Sequence, residues 1–312
     1  MNTSGFMAAA VNPGRRFSRR RTAGQTLSGL AFIGPNFILM IVFWLFPVVF
    51  AFVLSFTNWD LLSGLGGIEF IGFDNYRSLP GDDKFLRSLL NNLYFTAAVV
   101  PLTVILGLAA AVIIHEHVWG KKVFRLVFFL PYISNIVAVS IVWSLLYRHY
   151  GPIANFLRVI GIEHPPSFLA DMKWALPAII AMSVWMQIGY ACLIYSAGLQ
   201  GISKDLYEAA EIDGINRWKR LTLITIPLLR PTTFFIVITS LITSFQVFAQ
   251  VQVMTDGGPA GSTSVLVFYI YQNAFRFYRF GYASAIAVVL FVIIFLITLI
   301  QWIYQKRLAS DY

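Results

Sequence analysis

Apolar residues gather in six blocks, at positions 30–56, 90–114, 126–147, 174–200, 232–255 and 280–304. No Lys, Arg, Asp or Glu interrupts the interior of any block. A helix needs about 20 apolar residues to cross the hydrocarbon core of a bilayer, so each block predicts a transmembrane helix. Trp59, Trp119, Trp174 and Trp302 lie near block ends, where amphipathic rings favour the membrane interface. The intervening stretches 57–89 and 148–173 are punctuated by Gly and Pro and partly apolar, which predicts packed connections with short helices. Residues 1–26, rich in Arg, Ser, Thr, Ala and Gly, predict a disordered basic segment, and residues 27–312 a single bundle domain. The arginines ahead of the first block resemble the start of a signal peptide. The block is too long for a signal core and no small-residue cleavage site follows, so it is expected to stay as an anchor.

Composition agrees with a membrane location. Of 312 residues, 58% are hydrophobic and 12% charged, with a mean hydropathy of +0.73. These values lie outside the range of soluble domains. The net charge of +9 would suggest nucleic acid in a soluble protein, but its distribution follows the positive-inside rule. The amino terminus, the second and fourth loops and the tail hold 15 basic residues, against 8 in the other loops. Acidic residues divide 6 against 8. Both termini and the polar segment at 201–231 are therefore expected in the cytoplasm. The one cysteine, Cys192, falls inside an apolar block and permits no intrachain disulfide.

Missing charges narrow the function. Ion-coupled carriers usually place carboxylates or histidines at membrane depth, and the six blocks contain none. The four histidines lie at block ends or in loops. His115-Glu116-His117 alternates at a block end and fits the interface better than a metal site. No phosphate-cradling loop of the form G-x-x-x-x-G-K-[ST] occurs; 257–264 has glycines but no lysine. No catalytic constellation is visible, so the chain is not expected to be an enzyme. Uphill transport would need energy from a partner; a facilitator or channel working downhill without ATP is the alternative.

The polar segment at 201–231 is the feature best suited to receive a partner. Ser203 is placed to cap a helix whose first turns carry Asp205 and Glu208, with Leu206, Ala209 and Ala210 as a compact apolar face. Asp213-Gly214 predicts a turn. A second helix from Asn216 spaces Trp218 with Leu221 and Arg217 with Arg220 at i, i+3, and Pro227 and Pro231 end or kink it. Small side chains beside an acidic one permit close approach by another protein. An amphipathic segment lying on anionic lipid of the inner leaflet is the competing reading.

Glu208-Ala209-Ala210, Asp213-Gly214 and Ile226-Pro227-Leu228 resemble the EAA-x3-G-x(about 9)-I-x-LP signature of importer-type ABC permeases. The departure is Pro227 directly after Ile226, where the pattern has Leu-Pro. Further marks resemble the carbohydrate-uptake branch, of maltose and glycerol-phosphate type. They are Gly72-Phe73-Asp74-Asn75-Tyr76, Asn91-Asn92, Arg125 with Phe129-Leu130-Pro131, Gly257-Gly258-Pro259, Tyr269-Ile270-Tyr271 and Ala274-Phe275. The resemblance implies an all-α, six-span type I ABC importer permease in a prokaryotic plasma membrane. It further implies a second permease subunit, a cytoplasmic ATPase dimer holding ATP and Mg, and an extracytoplasmic solute-binding protein. No cofactor on this chain and no nucleic acid are implied. In that frame Glu208, Ala209, Ala210, Asp213 and Gly214 would enter a cleft of the ATPase, with Leu206 and Ile212 as packing residues.

Solute contacts are expected in the fourth and fifth blocks, where aromatic and uncharged polar residues cluster. These are Ser183, Trp185, Gln187 and Tyr190, then Ser240, Thr243, Ser244 and Gln246. The resemblance supports this, because 183–190 and 240–247 correspond to sugar-contacting stretches of maltose-type permeases, with Tyr190 and Trp185 matching. Ser183, Gln187 and Ser244 depart from that pattern, which points away from maltose. Helix packing by Ser and Thr is the alternative for any one of them. No arginine is present there to clamp a phosphate.

Overall fold

The computed structural model describes residues 23–117 and 120–309, most of them helical. The basic segment 1–26 lies outside the described residues except for 23–26, which open the first helix. The chain divides into two compact units, 1–50 and 51–312. In the first, α1 (Ala23–Met40) continues through a π-helical turn (Ile41–Leu45) into Phe46–Leu54.

The second unit opens with a minimal antiparallel ladder of β1 (Thr57–Asn58) and β2 (Glu69–Phe70), Thr57 facing Phe70. The short α2 (Asp74–Ser78) fastens it. Buried Asn75 donates to the carbonyls of Ser55 and Thr57, both at 2.9 Å, and Tyr76 donates to Ser55 Oγ at 2.6 Å. The Gly72–Tyr76 run thus has a structural task in this chain.

The helices that follow are α3 (Asp83–His117), α4 (Lys121–Ile133), α5 (Ile136–Leu146), α6 (Pro152–Val159) and α7 (Ala175–Gln200). Then come α8 (Lys204–Ile212) and α9 (Arg217–Arg220), which runs on through Leu221–Thr225 and Ile226–Leu228. The last are α10 (Arg230–Phe245), α11 (Ala249–Met254), α12 (Leu266–Tyr271) and α13 (Phe280–Ala309).

Among the described residues, four helices are long and apolar enough to cross a membrane unaided: Ala31–Leu54, Asp83–His115, Ala175–Gln200 and Phe280–Ile303. Counting each of two bent helix pairs as one span gives up to six. The block at 126–147 is not one straight helix, because α4 and α5 meet at 95°. Pro131 weakens the end of α4, and Asn135 caps α5 by accepting from the amides of Val137 and Ala138. The block at 232–255 is also divided. Its helix ends at Phe245, Gln246–Phe248 breaks the run, and α11 takes up 249–254. At its other end α10 meets the Arg217–Leu228 helix at 68°, across buried Leu229 between Pro227 and Pro231.

α7 forms the centre of this unit, with Ile179, Met182, Ala191 and Tyr195 fully buried. α3 packs along it on one side and α4 on another, while α10 lies against both α3 and α7. Lipid is as apolar as these side chains, so close packing rather than expulsion of water must hold the spans together. Gly189 shows how: a Cβ there would collide with the Phe128 carbonyl of α4. Only glycine lets the two backbones approach so closely.

Opposite the 201–231 hairpin along α7, Asp82 joins three elements. Its carboxylate accepts from the phenols of Tyr269 (α12) and Tyr282 (α13), each at 2.6 Å, and from the amides of Lys84 and Phe85. Partial burial raises its pKa, but these four donors outweigh that and hold it below the ordinary aspartate range. Burial and the bond to Asp82 push the Tyr269 phenol up to about 12.

Candidate functional site

The polar segment folds as the expected hairpin. Ser203 caps α8, its Oγ accepting from the amide of Asp205 at 3.2 Å, and Asn216 caps α9 by accepting from the amide of Lys219 at 2.8 Å. Between them Gly214 adopts φ +69°, a conformation that costs other residues a steric penalty. The Ile215 amide returns to the Ala210 carbonyl at 2.9 Å and closes the first arm. The arms are joined by a hydrogen bond between Tyr207 OH and Thr225 Oγ1 at 3.1 Å. Arg220 reinforces them, 3.5 Å from Glu211 and stacked over the Tyr207 ring at 5.5 Å.

What this hairpin leaves uncovered is apolar. Leu206 is 46% exposed, Trp218 74% and Ile212 87%. Ala209, Glu208, Asp213 and Gly214 are exposed beside them. Ala210 is different: it is buried within the chain, so the exposed apolar face is Leu206, Ala209 and Ile212 rather than an Ala-Ala pair. A large apolar residue at the tip of a charged hairpin is poorly placed for water and well placed for a protein surface.

The residues of the fourth and fifth blocks separate into two sets. Ser183, Ser240 and Ser244 are buried inside the bundle. Ser183 Oγ donates to the Ile179 carbonyl at 2.8 Å and Ser244 Oγ to the Ser240 carbonyl at 2.6 Å, the usual way a helix absorbs a serine. Trp185, Thr243 and Gln246 are exposed, and Gln187 and Tyr190 half-buried. Thr243 donates back to its own helix, to the Thr239 and Ser240 carbonyls. The set able to meet a solute is thereby Trp185, Gln187, Tyr190, Thr243 and Gln246.

Sequence reasoning missed two companions from the broken third span. Tyr132 stacks on Tyr190, with centroids 4.8 Å apart and planes 20° from parallel. Trp143 lies 5.5 Å from Trp185. Aromatic positions flanking a break at Ser134-Asn135 were the available signal, since discontinuous helices in transporters line solute paths.

The described residues thus combine long apolar helices, two bent helix pairs and an exposed hairpin with an apolar tip. The chain belongs to the family of binding-protein-dependent transport system inner membrane components, whose pattern matches residues 86–310. Members are non-catalytic permease subunits of ABC transport complexes in the inner membrane. The probable ABC transporter permease protein YesP of Bacillus subtilis (strain 168) is 37% identical over 280 residues, covering 88% of this chain and 89% of that one. The lactose transport system permease protein LacF of Rhizobium radiobacter is 36% identical over 282 residues, covering 88% and 93%. In fold, a chain of a bacterial ABC transporter for import of the acidic polysaccharide alginate superposes with a TM-score of 0.79. It is 24% identical and the match covers 91% of this chain and 96% of that one.

Proposed function

We propose that this chain forms half of the translocation pathway of a sugar importer and takes its energy through the 201–231 hairpin. The observation that carries the reading is the uncovered apolar tip, Leu206, Ile212 and Trp218, on a hairpin whose own polar links are internal. A cytoplasmic ATPase dimer, with ATP and Mg, receives this tip; Leu206 and Ile212 pack into its cleft and Glu208 and Asp213 offer charge at the rim. The hairpin and both termini face the cytoplasm, in keeping with the bias of basic residues. A second permease subunit completes the pathway and an extracytoplasmic binding protein delivers the solute. The lactose assignment in one relative's name supports a sugar as solute.

Mechanically, α9 bends at Leu229 directly into α10, so motion of the hairpin is passed to Thr243 and Gln246. α8 likewise follows α7, which carries Trp185, Gln187 and Tyr190. Aromatic faces meet the apolar face of a sugar and the amides its hydroxyls.

Uptake by Glu208→Lys and Gly214→Pro cells tests the reading. Both variants should insert in the membrane at normal levels and lose ATP-dependent uptake. Full uptake by both would sink it.

A further inference from the structure

On the end of the molecule away from the hairpin, a groove of about 430 Å³ opens between the first turns of α3, the start of α7 and the loop 255–265. Its volume lies within the ~300–1,000 Å³ usual for small-ligand sites. Arg87, Asn91 and Tyr94 line it from α3, Lys173 and Leu176 from the start of α7, and Ser262 from the loop. No carboxylate is among its lining residues. We propose that this groove is a subsite for the acidic group of a saccharide, a carboxylate or sulfonate on the sugar, met before the solute reaches Trp185 and Tyr190. The proposal rests on the importer reading and narrows its solute class to acidic sugars.

The groove is built rather than incidental. Arg87 Nη1 donates to the Ala260 carbonyl at 2.8 Å, which uses one of the guanidinium's five N–H donors and fixes the side chain beside the groove. Asn91 Nδ2 donates to the carbonyls of Gly261 and Ser264, at 3.1 and 2.9 Å. Ser88 and Ser264 hydrogen-bond through their hydroxyls at 2.8 Å. The loop is braced at its start by the Arg276–Asp256 pair at 2.6 Å and inside by Thr255–Thr263 at 2.7 Å. One wall is thus held against α3 before any ligand arrives, and preorganised donors bind at lower cost than mobile ones. Lys173, on the other wall, is exposed, and its backbone amide donates to Asp171 Oδ1 at 2.8 Å.

The chemistry fits an acidic sugar better than a neutral one. Two cations, Arg87 and Lys173, line the same concave surface, together with the exposed Tyr94 ring and the buried Leu176. A sugar ring can lie on Tyr94 while its acid group meets the cations; a neutral sugar would leave both cations unused. Leu176 is also on α7, eleven residues before Gln187, or three helical turns along the same face. Gln187 of the fourth block therefore lies on the groove's side of α7, further along the helix.

The test is direct binding of glucuronate, with glucose as the neutral counterpart, to the intact transport complex in nanodiscs without ATP. Glucuronate should bind more tightly than glucose and lose affinity at high salt. Lys173→Gln, an exposed site whose loss leaves the fold in place, should weaken glucuronate about tenfold and leave glucose unchanged. Equal binding of the two sugars, or unchanged glucuronate affinity in Lys173→Gln, would overturn the proposal. So would a variant that loses only docking of the solute-binding protein, which would make the groove a protein-contact surface. Because binding is read without ATP, it can fail while hairpin-dependent uptake survives, and the reverse.

Discussion

The two polar regions at the ends of α7 are built in opposite ways. The loop 255–265 is tied to the rest of the chain at several points: Arg87, Asn91 and Ser88 hold it from α3, and Arg276 holds Asp256. Buried Phe268 underlies it, close against Gly257. The hairpin at 201–231 joins its arms to each other and leaves Ile212, Trp218 and Leu206 in the open. A segment tied across to its neighbours is a wall; a segment whose arms bond to each other, with an uncovered apolar tip, suits the plug proposed above. The difference fits a braced wall at one end and, at the other, the partner contact proposed for the hairpin.

The largest effect should come from altering the plug without touching the fold. Ile212→Asp changes a residue that is 87% exposed, so the chain's own stability should move by less than about 0.5 kcal/mol. Recovery of the ATPase with the purified permease should nevertheless fall by about tenfold or more, as for loss of an interface anchor. An unchanged complex would erase the distinction between the two ends.

At the wall the same kind of change should act on stability instead. Asp82→Ala removes the acceptor of two phenols and two amides, and should cost about 2–3 kcal/mol in thermal or denaturant unfolding of the complex. The pH dependence carries a sign. Asp82 is held below the ordinary aspartate range, so its stabilisation is fully present at neutral pH. It is lost as pH falls below about 4 towards the lowered native value. The stability gap between wild type and Asp82→Asn should close on acidification, and a gap that widens would contradict the assignment.

Smaller effects refine the comparison. Asn91→Ala deletes two bonds to the loop and should cost about 1–2 kcal/mol, measurable as faster proteolysis or hydrogen exchange across 255–265. Arg276→Gln breaks an ion pair of good geometry, but on exposed residues, and should cost less than about 1 kcal/mol.

The sequence announced these ends unequally, for a physical reason. Hairpin signals are local: Ser203, Asn216 and Gly214 act on neighbours two to five positions away, so caps and turn could be read directly. The Asp82 clamp joins residues 187 and 200 positions apart, and Asn91 reaches the loop across 170. No local pattern encodes such pairs. The same holds among the spans. A straight block such as Ala175–Gln200 declares itself by length and hydropathy alone, whereas the 95° break at Ser134-Asn135 is apolar on both sides and hides within one block. The burial of serines 183, 240 and 244 was not legible either, because residue type does not reveal which face of a helix turns inward.

In the proposed importer the tip of the hairpin lies against the ATPase on the cytoplasmic side. Ile212→Cys tests it directly, since the one native cysteine, Cys192, is buried. A thiol-reactive cross-linker applied to inside-out vesicles should join Cys at position 212 to the ATPase in high yield, and an impermeant maleimide applied to whole cells should leave it unlabelled. Labelling from outside, or vesicles with active transport and no cross-link, would contradict the claim.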